Sequence, residues 1–113
     1  MSDYIQIMTT TDDPAVAQEI AKTLVERRLA ACVQVMGPAQ STFSWEGKVQ
    51  TQSEYRCVAK SRIDLFALAE VAIREVHNYD VPEILSIKIN EGSSDYLKWM
   101  DSVLADPSIN SDS

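Results

Sequence analysis

The chain has 113 residues, 45% of them hydrophobic and 24% charged, with 17 acidic against 10 basic side chains and a formal net charge of -7. This length fits one domain with one modest core. The negative balance argues against nucleic acid or an anionic membrane surface as partner, since both call for a positive face. No apolar run approaches the roughly 20 residues of a membrane span.

Residues 1–15 lack a basic start and hold Asp3, Asp12 and Asp13, so no secretory leader is read there. The two cysteines, Cys32 and Cys57, have no metal-type spacing, and with no leader they point to a reducing, cytoplasmic setting.

Tyr4 to Thr10 is a short β-prone run with Ile5 and Ile7 on one face. Thr11-Asp12-Asp13-Pro14 opens a helix, with Asp13 placed to cap free N–H groups and Pro14 suited to the first helical position. Ala17, Ile20, Ala21 and Leu24, extended by Leu29, form an apolar stripe opposite Gln18, Glu19, Lys22 and Glu26. Arg27 and Arg28 suit the negative pole of that helix.

Ala30 to Met36, broken only by Gln34, reads as a buried strand, and Gly37-Pro38 marks a bulge or bend. Ser41, Phe43 and Trp45 alternate with Thr42 and Ser44, Glu46-Gly47 makes a tight turn, and Lys48 to Lys60 returns as the partner strand. On the return strand Tyr55, Cys57 and Ala59 share one face. Glu54, Arg56 and Lys60 lie on the other, at a spacing that permits cross-strand salt bridges. A turn centred on Glu46 and Gly47 sets Cys32 opposite Ser61, four residues from Cys57. That is about 13 Å along a strand, beyond disulfide reach, so both thiols are expected to be reduced and buried.

Ser61 followed by Asp64 has the form of a capping box. Leu65, Leu68, Ala69, Ala72 and Val76, widened by Phe66 and Ile73, give a second amphipathic helix that ends near His77. The next stretch, Val76-His77-Asn78-Tyr79-Asp80-Val81-Pro82-Glu83-Ile84, holds the one histidine beside a phenol and carboxylates. Pro82 biases Val81 away from helical dihedrals. The stretch reads either as a polar site or as a helix stop whose polar residues face water. Leu85, Ile87 and Ile89 then share one strand face, with Ser86 and Lys88 opposite. After a turn at Asn90-Glu91-Gly92, Ser93 or Ser94 starts a third helix with Tyr96, Trp99, Met100 and Val103 as packing residues. Residues 105–113 are expected to form a frayed tail on a domain spanning 1–104.

The predicted order is β-α-β-β-α-β-α. Its first six elements match the α+β, ferredoxin-like plan of an antiparallel four-stranded sheet with two helices on one face. The central strands, about 14 residues each, are more than twice the usual length. Phe43 and Trp45 on their outer half stay wet unless another subunit covers them, and long exposed edges invite pairing. A closed oligomer built by this hairpin is predicted.

Several segments in order carry a family resemblance: Leu29-Ala30-Ala31-Cys32-Val33, Ser41-Thr42-Phe43-Ser44-Trp45-Glu46-Gly47-Lys48, Glu54 with Lys60, and His77 to Ile84. With the closing Tyr96-Leu97-Lys98-Trp99, the chain from about Ile5 to Met100 resembles the CutA family of divalent cation tolerance proteins. The resemblance implies a PII-like, ferredoxin-like subunit in a tight homotrimer, with hairpin arms sealing strand edges between neighbours. For bacterial members it implies tolerance of copper and other divalent metals; for animal relatives, anchoring or assembly of other proteins. Asn78, Asp80, Phe43 and Ser61 stand where the family usually has Pro, Glu, Tyr and Thr. The copper ligands of some members, a cysteine ending the first strand and two adjacent histidines, fall here on Thr9, Val76 and His77. One ligand carries over, and a transition metal takes three or four. Asp80, Glu83 or another subunit would have to complete such a site.

No Gly-x-Ser-x-Gly, phosphate loop or His-Glu-x-x-His is present, and no nucleophile sits beside His77 in sequence, so a non-enzymatic role is expected. Two roles remain. The first is a trimeric, PII-like protein of the metal response. It binds copper or a similar divalent cation, or a small ligand, at clefts between subunits near Trp45, Glu54, Lys60, Tyr79 and Glu83, with His77 as metal ligand. The second is a structural trimer that docks other proteins, in which Tyr79, Pro82 and Glu83 are architecture and Glu83 pairs with Arg56 or Lys60.

Overall fold

The structure is a computed structural model that describes residues 3–107. In chain order it runs β1 (Tyr4–Thr11), α1 (Pro14–Glu26), β2 (Cys32–Trp45), β3 (Lys48–Arg62), a single 3-10 turn (Ile63–Leu65), α2 (Phe66–Val76), β4 (Leu85–Lys88) and α3 (Ser94–Val103). The sheet order is β2-β3-β1-β4, and every pair is antiparallel. This is the ferredoxin-like plan read from the sequence, with α3 appended. No helix among the described residues is long and apolar enough to cross a membrane.

The core lies between one sheet face and the helices. Ile5, Ile7, Cys57 and Ala59 meet Ala17, Ile20 and Leu24 of α1 and Ala69, Ala72 and Ile73 of α2. Each large aliphatic side chain buried this way contributes about 1.5–3 kcal/mol. Helix α1 starts as its sequence requires: Pro14 holds the first turn and Asp13 Oδ1 accepts the Ala15 N–H at 2.9 Å. It ends through Arg28, whose φ of 62° reverses the chain so that the Leu29 and Ala30 N–H groups both reach the Leu24 carbonyl. The Arg28 guanidinium does not serve the pole of α1 as expected. It donates to the carbonyls of Ser102, Val103 and Leu104, where α3 leaves its last C=O groups unpaired.

The β2-β3 arm closes through Glu46 (φ 51°) and Gly47 (φ 79°), the two left-handed residues that a type I′ turn needs. Trp45 sits opposite Lys48, and the register holds down to Ala39 opposite Glu54. Between Met36 and Ala39 one extra residue enters β2, so that Met36 faces Arg56 and Cys32 faces Lys60 rather than Ser61. Gly37 is required there. Its φ is +144°, and an added Cβ would lie 2.9 Å from the Glu54 carbonyl oxygen.

Several sequence expectations are corrected. Ser61 does not cap α2: it is a buried residue of β3 whose hydroxyl donates to the Leu29 carbonyl at 2.7 Å, while Asp64 pairs with Arg62. Both cysteines are unbridged, but only Cys57 is buried, where loss of solvent pushes its thiol pKa up to about 11; Cys32 is half-exposed. Leu68, Tyr96 and Trp99 face outward instead of packing in the core. The salt bridges foreseen along β3 do not form among the described residues. Glu54 bonds a tyrosine, Arg56 reaches the Met8 sulfur, and Lys60 lies 5.8 Å above the Tyr96 ring. Ala105, placed in the tail by sequence, is buried: its N–H donates to the Arg28 carbonyl, and its own carbonyl accepts from Arg62. Residues 108–113 of that predicted tail lie outside the described residues.

The sheet face away from α1 and α2 ends in an apolar edge at β4. Opposed residues form the rows Gln34–Val58–Met8–Leu85 and Cys32–Lys60–Gln6–Ile87. Met8 and Val58 are buried, yet Leu85 and Ile87 on the edge strand are 56% and 51% exposed in the single subunit.

Candidate functional site

Helix α2 stops at His77, whose extended backbone (φ -72°, ψ 146°) turns the chain toward the end of β1 and the middle of β3. The imidazole holds this turn with both nitrogens. Nε2 donates to the Thr10 carbonyl at 2.9 Å, and Nδ1 accepts the Tyr79 N–H at 3.1 Å. Those roles require a neutral ring. Burial lowers the His77 pKa below its usual value, outweighing the opposing pull of the Thr10 carbonyl, Asp12 and Glu54.

Beside it, Asp12 joins three elements: one carboxylate oxygen accepts from Asn78 and the other from Gln52 of β3, each at 2.8 Å. The Thr11 hydroxyl donates to Asn78 Oδ1 at 2.6 Å. The Tyr79 ring lies 4.9 Å from the His77 ring, and its hydroxyl donates to Glu54 Oε2 at 2.7 Å. Glu54 is only 8% exposed. Desolvation first, then the hydrogen bond and charge of Glu54, raise the Tyr79 pKa well above its ordinary value, so the phenol stays a proton donor.

Between this anchored segment and the outer half of the arm lies a cleft of about 610 Å³. Its walls include Phe43 and Trp45 from β2, Glu54 from β3, and Tyr79, Asp80 and Glu83 from the α2-β4 connection. Trp45 is half-exposed, at 50%. Asp80 and Glu83 make no hydrogen bond or ion pair with the described residues.

Of the residues singled out by sequence, Trp45, Glu54, Tyr79 and Glu83 meet at this cleft. Lys60 does not: it sits farther down β3 against Tyr96 of α3. Glu83 pairs with neither Arg56 nor Lys60. His77 backs the cleft without lining it, and it does not fit the metal ligand expected of it, because it has no free lone pair. The other two positions of the copper set do not help. Thr9 points into the core opposite Cys57, with its buried hydroxyl unpartnered, and Val76 packs against the core. No group of three or more His, Cys, Asp or Glu converges on a common point among the described residues. Sequence reasoning missed Asp12 and Gln52, since Asp12 read only as part of a helix start.

Fold and cleft together define a PII-like, ferredoxin-like subunit with an elongated hairpin arm. Residues 5–103 match the model of the CutA1 divalent ion tolerance protein, and the chain belongs to that family. It is 38% identical over 104 residues to a divalent-cation tolerance protein CutA of Pectobacterium atrosepticum, covering 92% of this chain and 94% of that one. The crystal structure of CutA from Xylella fastidiosa superposes with a TM-score of 0.88 at 32% identity, covering 92% of this chain and all of the other. The structure of the periplasmic divalent cation tolerance protein CutA from Archaeoglobus fulgidus gives 0.84 at 35% identity, covering 91% and 98%.

Proposed function

We propose that this protein serves divalent-cation tolerance as a homotrimeric, PII-like binding protein, with a small ligand held in the cleft beside the outer half of each arm. The observation that carries the reading is the cleft itself. It has the 300–1,000 Å³ size typical of ligand sites and presents two uncompensated carboxylates, Asp80 and Glu83, beside a half-exposed indole. The role is binding rather than catalysis, because the sole imidazole has no lone pair left to act as a base.

The trimer is supported by the apolar edge strand. Leu85 and Ile87 on an edge strand, with Val49 on the arm, leave several large side chains in water unless other copies cover them. Head-to-tail contacts between identical chains close into a ring when the rotation allows. Residence in the cytoplasm accords with two unbridged cysteines.

Sedimentation equilibrium and native mass spectrometry of protein purified without added metal test this reading together. The expected result is three subunits with a retained small molecule that Trp45→Ala releases. A monomer at micromolar concentration would overturn the reading.

A second reading, a trimer that docks other proteins, is favoured by one observation. Tyr79, Glu54 and His77 already spend their polar groups on each other and on the backbone, as architecture does. A trimer that retains no small molecule and captures one protein stoichiometrically would favour it.

A further inference from the structure

We infer that the cleft takes an organic cation: a small amine or polyamine whose ammonium groups meet Glu83, Asp80 and Glu54 while its carbon body lies against Trp45 and Phe43. This rests on reading the cleft as a ligand site, and it names the chemistry of what enters.

The first argument is charge. Three carboxylates line the cleft, and among the described residues no lysine, arginine or histidine does. A phosphate- or carboxylate-bearing metabolite would enter a negative field with no cation to meet it. Among the described residues that line the cleft, none belongs to the first turn of a helix, so no helix N-terminus offers it free N–H groups. The side-chain donors that line the cleft are neutral: Gln50, Gln52, the Trp45 indole N–H and the hydroxyls of Ser41, Thr42, Thr10 and Tyr79.

The second argument is spacing. A bare divalent ion draws its ligands to within about 2.0–2.6 Å of one point. The acidic side chains here do not converge in that way within the subunit, and about 610 Å³ far exceeds one ion. Carboxylates spread around a cleft suit a ligand with separated charges.

The third argument is the wall. An ammonium over an indole or phenyl face is attracted by the ring quadrupole, most strongly to tryptophan. Here Phe43 and Trp45 occupy the same strand face as Glu54, because Ala39 pairs with Glu54 and the alternation continues along the arm. The inner end of the cleft is also fixed in position. Glu54 is buried and bonded on one oxygen by the Tyr79 hydroxyl, so it keeps an acceptor without being free to swing away.

The test uses Trp45 as its own reporter in a Trp99→Phe background, with spermidine, putrescine and tetramethylammonium as cations. Uncharged 1,4-butanediol, inorganic phosphate and zinc chloride are the controls. The proposal expects saturable quenching by at least one of the amines, weakened by salt and absent with butanediol and phosphate. Glu83→Gln and Asp80→Asn should each weaken it about tenfold or more, the loss expected when one charge-assisted hydrogen bond goes. Sedimentation of the same samples separates the two levels of the claim. An intact trimer that binds phosphate, or zinc alone, in a Glu83-dependent way overturns the organic cation and leaves the cleft as a site. Glu83→Gln subunits that fall apart, with no amine bound by the parent, show that a neighbouring subunit's own cation fills the cleft and overturn the proposal. A parent protein that is monomeric removes the trimer reading, whatever the amines do.

Discussion

Removing one oxygen atom tests the anchor behind the cleft. In Tyr79→Phe the buried Glu54 carboxylate loses the donor that sits 2.7 Å from Oε2. A hydrogen bond to a charged group contributes about 1.5–3 kcal/mol. Tyr79 is half-buried, so water partly replaces the phenol and the lower part of that range applies, about 2 kcal/mol. Unfolding entropy of about 2.1 cal/mol/K per residue over 113 residues makes this about 8 °C in Tm. Urea denaturation at fixed protein concentration gives the free energy, because in any protein that assembles Tm depends on concentration. The cycle with Glu54→Gln isolates the pair, since the double variant removes charge and donor together. A Tyr79→Phe variant within about 0.5 kcal/mol of the parent would refute the argument: Glu54 would then be solvated and the turn held by something else.

His77 sets a pH dependence. Its pKa is lowered in the folded chain, mainly by burial, so the unfolded state binds the extra proton first. Its contribution to stability is full above about pH 6.5 and is lost as pH falls toward the folded value. Urea midpoints between pH 7.5 and 5 should therefore fall more steeply for the parent than for His77→Gln, and parallel curves would exclude the neutral-ring role. Gly37→Ala should cost about 2–3 kcal/mol from its positive φ and the close Glu54 carbonyl; thermal unfolding measures it, and an unchanged Tm would contradict the bulge geometry. Leu85→Lys with Ile87→Lys puts two charges on the exposed apolar edge and should yield monomers in sedimentation; an intact trimer would move the interface elsewhere. Thiol titration should find Cys32 reactive in a dissociated subunit and Cys57 silent until unfolding, since burial raises the Cys57 pKa to about 11; equal rates would contradict the burial.

The architecture was legible because local signals and periodicity agree. The Asp13-Pro14 start, the α1 stripe, the Glu46-Gly47 turn and the arm lengths all appear where propensity and pattern place them. What pattern could not show was partnership across the chain. Ser61 carries a cap signature, but the strand outcompetes the helix for it, because its hydroxyl satisfies the Leu29 carbonyl from inside the core. Leu68 keeps helical spacing, but it falls beyond the arc that the sheet covers. At the site, sequence named Trp45, Glu54, Tyr79 and Glu83, and the fold draws them to one cleft. Lys60 lies on the same strand face as Glu54 but farther down β3, where α3 takes it. Asp12 was invisible as a site residue because its partners, Asn78 and Gln52, are distant in sequence and meet it only when β1, β3 and the α2-β4 connection converge.

The cleft depends on one inserted residue. Side chains alternate faces along a strand, so with even-numbered Cys32, Gln34 and Met36 on the open face, an unbroken β2 would turn odd-numbered Phe43 and Trp45 toward the opposite side. The extra residue between Met36 and Ala39 inverts that alternation while β3 continues without a break. Beyond the bulge, Ser41, Phe43 and Trp45 therefore share the side of Glu54 and face the turn that His77 and Tyr79 hold in place. Gly37 makes the inversion sterically possible, since only a residue without Cβ passes so close to the Glu54 carbonyl at that φ. The bulge thus brings Phe43 and Trp45, together with Glu54, to the same cleft as Asp80 and Glu83. The cleft beside the arm follows from the backbone register, before the chemistry of any side chain that lines it.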